Sequence, residues 1–493
     1  MAAHAATPAQ HKPPQRMGET SSSWSSSSRS LGHPWVLALA IAVPLTIVYL
    51  VWMPPAADLS AAIYRSDLFA RVGFALRDNG WYAAHGHYLL GYSLLSPALG
   101  ALLGVRVLLA ASALAASVLF GLISERAFGF AAGRVAAAVF AFGICAELLS
   151  GRAPYDLGFA IGLGAVLALM RARFALALVL AVLTSVSSPI AGLFLALAFL
   201  AWAVAAAPWG DTAAGVAWAG RGPTLVQSKR GLALAAAALA PILALTLAFP
   251  EGGYEPFAPS AFWPALGGVL LIALFLPQGT PLSPRGHLAV RVGAGLYALA
   301  LIGSFVISTP VGGNVARLAP PLAAPLLAGV LWDRRRVALC LLAPVLLYWQ
   351  LNTPIGDLSL IAGQPSANAP YYAPLLSELR RLDHGAPTIV EVPLTATHAE
   401  AAYLAGHDRV SLARGWERQL DTRYAALFYR PATTLTASAY RAWLAENHVA
   451  YVVLPDARLD YAARAEGALV ARGLPYLREV WRSRHWRLYR AIV

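Results

Sequence analysis

Trp35-Val36-Leu37-Ala38-Leu39-Ala40-Ile41-Ala42-Val43-Pro44-Leu45-Thr46-Ile47-Val48-Tyr49-Leu50-Val51-Trp52-Met53 runs straight into Pro54-Pro55-Ala56-Ala57-Asp58-Leu59. The first stretch carries no charge in 19 residues. As an α-helix it is about 28 Å long, close to the hydrocarbon thickness of a bilayer. It is too long for a signal-peptide core and lacks a small-residue cleavage site, so it reads as a retained membrane span. Two prolines end it, and the first acid of the chain beyond the N-terminal tail follows within five residues.

Similar apolar runs recur. Spans are expected at 35–53, 106–123, 135–149, 157–170, 174–187, 190–207, 232–249, 261–276, 292–308, 318–332 and 337–351. Eleven spans put the two chain ends on opposite sides of the membrane. The cations test the orientation. Arg126, Arg134, Arg171, Arg173, Lys229, Arg230, Arg285, Arg291 and Arg334 to Arg336 share a side with the N-terminus, whereas the opposite short loops hold Arg152 and Arg317. Lysine and arginine mark the cytoplasmic side, so the N-terminus is expected inside and the C-terminal part outside.

Composition agrees. The chain of 493 residues is 58% hydrophobic and 12% charged, against about 25% charged in soluble proteins. The net charge of +13 sits in short loops between apolar runs. It therefore speaks for anionic lipid headgroups and not for nucleic acid. Cys145 and Cys340 both lie in apolar runs, offer no metal or disulfide spacing, and read as small buried residues. Residues 1–33, with seven serines in Ser21 to Ser28, read as a disordered cytoplasmic tail.

The long loop at 54–104 is more than a connector. Leu59, Ile63, Leu68, Phe69, Val72 and Leu76 fall near one helical face. Arg65, Asp67, Arg71 and Arg77 fall on another, predicting an amphipathic helix on the outer membrane surface. Tyr88 to Leu103 reads as a second juxtamembrane or half-inserted helix. After Leu351 the composition changes. Residues 352–368 read as a linker and 369–493 as a small extracytoplasmic α/β domain, with strands near 388–392 and 449–454 and an edge strand within 479–489.

The fold class is thus a polytopic all-α membrane bundle with a small C-terminal α/β domain. Four patterns make it resemble the GT-C superfamily of membrane glycosyltransferases. They are Pro54-Pro55-Ala56-Ala57-Asp58-Leu59; the amphipathic loop helix leading to Asn79-Gly80-Trp81-Tyr82; Leu122-Ile123-Ser124-Glu125-Arg126-Ala127-Phe128-Gly129; and Ser150-Gly151-Arg152. The resemblance covers about residues 35–350 and implies transfer of a sugar from a polyprenyl-phosphate donor to an exported glycan, lipid or protein acceptor. It implies that Asp58 is the proton acceptor. The acid pair common in that loop is Asp58-Leu59 here, so no cofactor is assigned, although the resemblance leaves room for a divalent metal. No repeat, P-loop, dinucleotide fingerprint or Gly-x-Ser-x-Gly appears.

The remaining candidates each have a plainer alternative. Asp58 precedes a helix and suits an N-cap. Asp67, the second candidate base, is spaced to pair with Arg71. His85 and His87 form His-x-His beside Trp81 and Tyr82, whose plainer role is interfacial anchoring; two histidines fall short of a zinc site, so they are read as substrate contacts. Glu147 and Arg152 suit either substrate or each other. Asn314 and Arg317, after Gly312-Gly313, suit a donor phosphate gripped by a guanidinium, or a tight turn with a snorkelling arginine. Ala413 to Asp421 reads as a packed ion-pair loop with sugar binding as the second option. A transporter or flippase, and a scaffold with an outer binding domain, are the competing function classes.

Overall fold

The computed structural model describes residues 32–89, 92–207, 224–250, 253–276, 284–333, 335–430 and 434–493. The expected disordered tail lies almost entirely outside them. The first span is α1 (Pro34–Trp52), stopped where Met53 turns left-handed at φ 49 before the two prolines. Then follow α2 (Ala57–Val72), a two-stranded ribbon of β1 (Arg77–Asp78) and β2 (His87–Tyr88), and the short α3 (Ser96–Leu103). The long α4 (Val105–Glu147) is two helices folded back at Gly129, whose φ of 78 suits glycine. Phe120 and Phe140 stack across the fold at 4.1 Å, and Ser124 Oγ donates to the Gly133 carbonyl at 3.1 Å.

The bundle continues through α5 (Ala153–Met170), α6 (Phe174–Ser187), α7 (Pro189–Ala206), α8 (Thr224–Ala248), α9 (Pro259–Phe275), α10 (Pro284–Val306), α11 (Ala319–Leu331) and α12 (Arg336–Ile361). Among the described residues eight helices are long and apolar enough to cross a membrane, α4 being one of them though folded at Gly129, and α6 and α9 are shorter apolar helices. Many keep large apolar side chains exposed on their flanks, among them Leu247, Leu274, Val306 and Leu341. Soluble proteins rarely leave such surfaces open; hydrocarbon covers them at no cost. Cys145 is buried as expected, but Cys340 lies exposed on the flank of α12.

The C-terminal part adds α13 (Ala369–Leu382), β3 (Thr388–Glu391), α14 (Glu400–Tyr403), β4 (Val410–Leu412), α15 (Ala425–Tyr429), α16 (Ala437–Glu446), β5 (Tyr451–Pro455), α17 (Arg464–Ala471), β6 (Leu477–Arg482) and β7 (Trp486–Ala491). The sheet order is β4-β3-β5-β7-β6, parallel through β5 and antiparallel beyond. Side chains alternate across it. Tyr451 and Val453 enter the core shared with α13 and α14, while Val452 joins the core with Phe428, Tyr440 and Trp443.

Four further expectations change. Of the helix expected over Tyr88 to Leu103, only α3 (Ser96–Leu103) is helical among the described residues, and Tyr88 lies in β2. The segment within 479–489 is a β-hairpin: β7 sits inside the sheet, with Trp486 buried, and β6 is the edge. The span expected to end at Leu351 runs on to Ile361, through Pro354, so the first ten residues of the expected linker are helical. The amphipathic α2 does not lie free on a membrane surface. Leu59 and Ala62 belong to the bundle core, and Ala61 and Tyr64 to the core of the C-terminal domain. Its polar face is covered too. Arg65 makes a bidentate pair with Glu417 at 2.8 Å for both bonds, Ser60 Oγ donates to the Thr397 carbonyl at 3.3 Å, and Arg71 donates to the Gly406 carbonyl at 2.6 Å. Beyond α2, Leu412 N–H donates to the Gly80 carbonyl at 2.8 Å and Ala83 N–H to the Leu412 carbonyl at 3.1 Å, so this loop also covers the free edge of β4.

Candidate active site

Between the bundle and the C-terminal domain lies a cavity of about 850 Å³ lined by residues of both. The bundle contributes Asp58, Arg152, Tyr155, Glu255, Asn314 and Arg317 to its wall. The domain contributes His398, Trp416, Arg418, Asp460 and Tyr461. An apolar stretch from α7 and α8, including Leu193, Ile242, Leu245 and Phe249, completes it.

Asp58 stands in the first turn of α2 but caps nothing; the N-cap position is Ala56, without a side-chain bond. Its carboxylate turns to Arg152, with Oδ2 2.9 Å from Nε, and Arg317 Nη2 approaches the same oxygen at 3.6 Å. Gly151 makes this meeting possible. Its φ is 74, and an added Cβ would lie 2.7 Å from Ala56 Cβ, so only glycine lets the turn before Arg152 pack on the start of α2. Burial alone would push the Asp58 carboxyl up, but Arg152 and Arg317 together overcome it and hold it below its ordinary value.

Arg152 is the hub. Its Nη1 lies 3.5 Å from Glu147 Oε2, so the expected pair forms, and its Nη2 lies 3.1 Å from Asp357 Oδ2. Ser150 Oγ donates to that same Asp357 oxygen at 2.7 Å. Arg317 sits on the turn Gly312–Leu318, which is pinned by Tyr155 Oη on the Arg317 carbonyl at 3.1 Å and Tyr297 Oη on the Val315 carbonyl at 2.8 Å. The first of the two glycines before it is required by the packing of the turn. Gly312 has φ 43, and a Cβ there would strike the Glu255 carbonyl. Glu255 is thereby held beside the cavity, and burial pushes its carboxyl up to about 7 despite the nearby Arg418 and Arg317.

On the domain side, His398 adopts φ 52, a left-handed conformation that non-glycine residues seldom take outside constrained sites. Its ring stacks on Trp416 at 4.5 Å, and Nε2 is 3.6 Å from Asp460 Oδ2. Burial would depress the histidine, but Asp460 overrides it and raises the pKa; burial likewise works against a lowered Asp460, which His398 pulls down. The loop is fixed by buried Glu400, which accepts from Thr395 N at 3.0 Å and Thr395 Oγ1 at 2.6 Å. Arg418 reaches Tyr461 Oη and lies over the Tyr429 ring at 4.2 Å.

Among the sequence candidates, Asp58, Arg152, Asn314 and Arg317 line the cavity, and Glu147 supports Arg152 from behind. Three do not reach it. Asp67 is exposed on the far side of α2, where Arg71 bonds its backbone carbonyl at 3.3 Å and not its carboxylate. His85 is exposed against Tyr424 at 3.5 Å. His87 is buried in a stack on Trp81 at 5.7 Å, which itself stacks on Tyr64 at 4.9 Å. The aromatic pair Trp81 and Tyr82 is thus part of the domain core. The loop 413–421 is a packed ion-pair loop that also lines the cavity. Arg414 is buried between Glu391 and Glu466, and Glu417 pairs with Arg65, while Trp416 and Arg418 face the cavity.

No protein-family model and no curated protein matches the sequence. Solved structures do match. The apo oligosaccharyltransferase of Archaeoglobus fulgidus superposes with a TM-score of 0.53 at 14% identity, covering 88% of this chain and 70% of that one. The same enzyme tethered to an acceptor peptide containing the NVT sequon gives 0.52 at 14% identity, with the same coverage. The archaeal oligosaccharyltransferase AglB from that organism, in complex with an inhibitory peptide and a dolichol-phosphate, gives 0.50 at 14% identity over 87% and 70% of the two chains. The chain shares a GT-C-like fold with them. In GT-C terms the match spans the bundle and reaches into the C-terminal domain, since 88% of the chain exceeds what the bundle alone supplies. The residues missed from the sequence, Glu255, Asp357, His398 and Asp460, all lie in loops or near a helix end. Only Asp357 gave a signal, as an acid shortly after a span.

Proposed function

We propose that the protein is a membrane glycosyltransferase. It moves a sugar from a polyprenyl-phosphate donor to an exported glycan, lipid or protein acceptor, in a plasma membrane with the N-terminus cytoplasmic and the C-terminal domain outside. The observation that carries this is one cavity with a charged floor at Asp58, Arg152 and Arg317 and an apolar wall from α7 and α8. A lipid-linked phosphate is a molecule with those two halves. The structurally similar oligosaccharyltransferase in complex with an inhibitory peptide and a dolichol-phosphate supports the donor class.

In this reading Arg317, with Asn314, holds the donor phosphate. The acceptor hydroxyl attacks the anomeric carbon, the bond from that carbon to the phosphate oxygen breaks, and its electron pair leaves on the polyprenyl phosphate. Asp58 takes the hydroxyl proton. Held ionised by two arginines it is a weak base, so it acts late, when the forming bond has made the hydroxyl acidic. Arg152 fixes the Asp58 carboxylate and shapes the floor. A packed scaffold would leave no cavity at Asp58, and the cavity supports the enzyme over that alternative.

The test is transfer from labelled polyprenyl-phosphate sugars in membranes carrying the wild type or Asp58→Asn. Loss of general-base catalysis costs about 10²- to 10⁴-fold. Transfer that survives in a folded Asp58→Asn variant removes Asp58 as the base. Absence of transfer by the wild type with every donor offered overturns the enzyme reading.

A further inference from the structure

Each nitrogen of the Arg152 guanidinium meets a different carboxylate: Nε meets Asp58 at 2.9 Å, Nη2 meets Asp357 at 3.1 Å and Nη1 meets Glu147 at 3.5 Å. The three acids come from three separate places, the start of α2, the end of α12 and the end of α4. Acids near the ends of apolar spans are costly to bury and are kept only with partners. Three of them converging on one point, with a cation at that point, form the arrangement a divalent ion usually organises.

We propose that Arg152 is the resident cation of this reaction centre, seated where Asp58, Glu147 and Asp357 converge in place of a divalent metal. The inference rests on the proposed transferase reading for its catalytic meaning, though not for its test. Two facts argue it. The carboxylate oxygens ring a planar fork, at hydrogen-bond distance from three separated nitrogens. Mg²⁺ instead demands oxygens at about 2.1 Å around a single centre. Among the described residues, no group of three or more histidine, cysteine, aspartate or glutamate side chains is gathered tightly enough to hold a metal ion.

A guanidinium also differs from a metal in what it does. It never loses its charge in a protein, offers directional donors, and is not removed by chelators. Here it holds Asp58 ionised, and among the described residues Arg317 has one carboxylate contact, the 3.6 Å approach to Asp58. The divalent ion that the resemblance leaves room for does not fit these residues as they stand, and no step of the proposed reaction passes through one.

The test uses the full chain purified in detergent, stripped with chelator, and titrated with Mn²⁺ read by electron paramagnetic resonance. The wild type is expected to bind no Mn²⁺ saturably. Arg152→Met, which removes the charge and keeps bulk, is expected to gain one saturable site that Asp58→Asn in the same background removes. Arg152→Lys is expected to stay without one. Saturable binding by the wild type that Asp357→Asn abolishes would overturn the proposal, as would a folded Arg152→Met variant that binds none. The wild-type titration decides even if Arg152→Met fails to fold. Where transfer is detected, it should be undiminished by chelator. Failure to detect transfer counts against the enzyme reading alone, because the Mn²⁺ signal does not depend on it.

Discussion

Breaking the Arg65–Glu417 pair should loosen the C-terminal domain from the bundle by a measurable amount. Both side chains are 3% exposed, and the two bonds are parallel at 2.8 Å. Arg65→Met keeps much of the bulk but strands the Glu417 carboxylate without its partner. Removing one member of a buried pair costs about 3–5 kcal/mol, most of it the penalty of the charge left behind. The lost stacking of the guanidinium on Tyr92, 3.6 Å from the ring centroid, adds about 0.5–2 kcal/mol. At about 1.4 kcal/mol per decade, the ion-pair part alone raises the undocked population by roughly two to three and a half decades. Proteolysis of the opened state follows that population when reclosing is fast, so cleavage between bundle and domain in nanodiscs reads it directly. The double variant Arg65→Met/Glu417→Leu removes both charges, and such replacements are often neutral or better. It should recover most of the wild-type resistance. A single variant less than tenfold more sensitive, or a double variant as sensitive as the single, would refute the reasoning and leave packing as the glue.

Three further outcomes follow from the site. Glu255, pushed up to about 7 by burial, ionises as pH rises through that value and sets a negative charge beside Arg317 and Arg418. Affinity for a short prenyl phosphate, measured calorimetrically, should fall more steeply above neutrality in the wild type than in Glu255→Gln; superimposable profiles would exclude it. For His398 the folded pKa is raised, so its stabilisation is complete below the ordinary value of about 6.5 and is lost as pH rises through the folded value. For Asp460 the folded pKa is lowered, so its contribution holds above about 4 and fails only at lower pH. The wild type should therefore lose thermal stability relative to His398→Gln on going from mildly acidic to alkaline buffer, and parallel curves would count against the pair. Gly312→Ala forces a side chain into φ 43 against the Glu255 carbonyl, at a cost of at least about 1–2 kcal/mol; a variant with an unchanged thermal midpoint would show that the turn can shift.

The span pattern and the bundle half of the site were readable because membranes restrict what a sequence can do. Charges at span ends are few, and Asp58, Arg152 and Arg317 stood out for that reason. The same restriction misled at Asp357. Pro354 and Gly356 read as loop formers, yet α12 runs through both. Proline is tolerated inside spans because neighbouring helices and polar side chains compensate the freed carbonyl. The domain half was not readable. In the run Arg414 to Arg418 the buried charged members are Arg414 and Glu417, while Trp416 and Arg418 are partly exposed, and Glu417 lines the cavity together with them. No period separates those pairs, because a loop has none. His87 failed for a related reason: a histidine beside Trp81 has the same spacing whether it faces a ligand or, as here, a ring stack.

The geometry of α2 joins the two halves. Asp58 and Arg65 lie on one helix seven residues apart, two turns, or about 10 Å along the axis. One end carries the proposed base, held by Arg152 and Arg317 from the bundle; the other carries the bond to Glu417 of the domain. Glu417 in turn sits between Trp416 and Arg418, both in the cavity wall. A tilt of α2 therefore moves the Asp58 carboxylate against Arg152 and moves the domain's wall with it. An Arg65 variant should consequently lower transfer through kcat, since misplacing reacting groups by about 1 Å costs on the order of a hundredfold. Its KM for donor should change less, because Arg317 is anchored independently by Tyr155 and Tyr297 through the turn Gly312–Leu318. A variant whose loss falls wholly in KM would break this link and make α2 a support for binding alone.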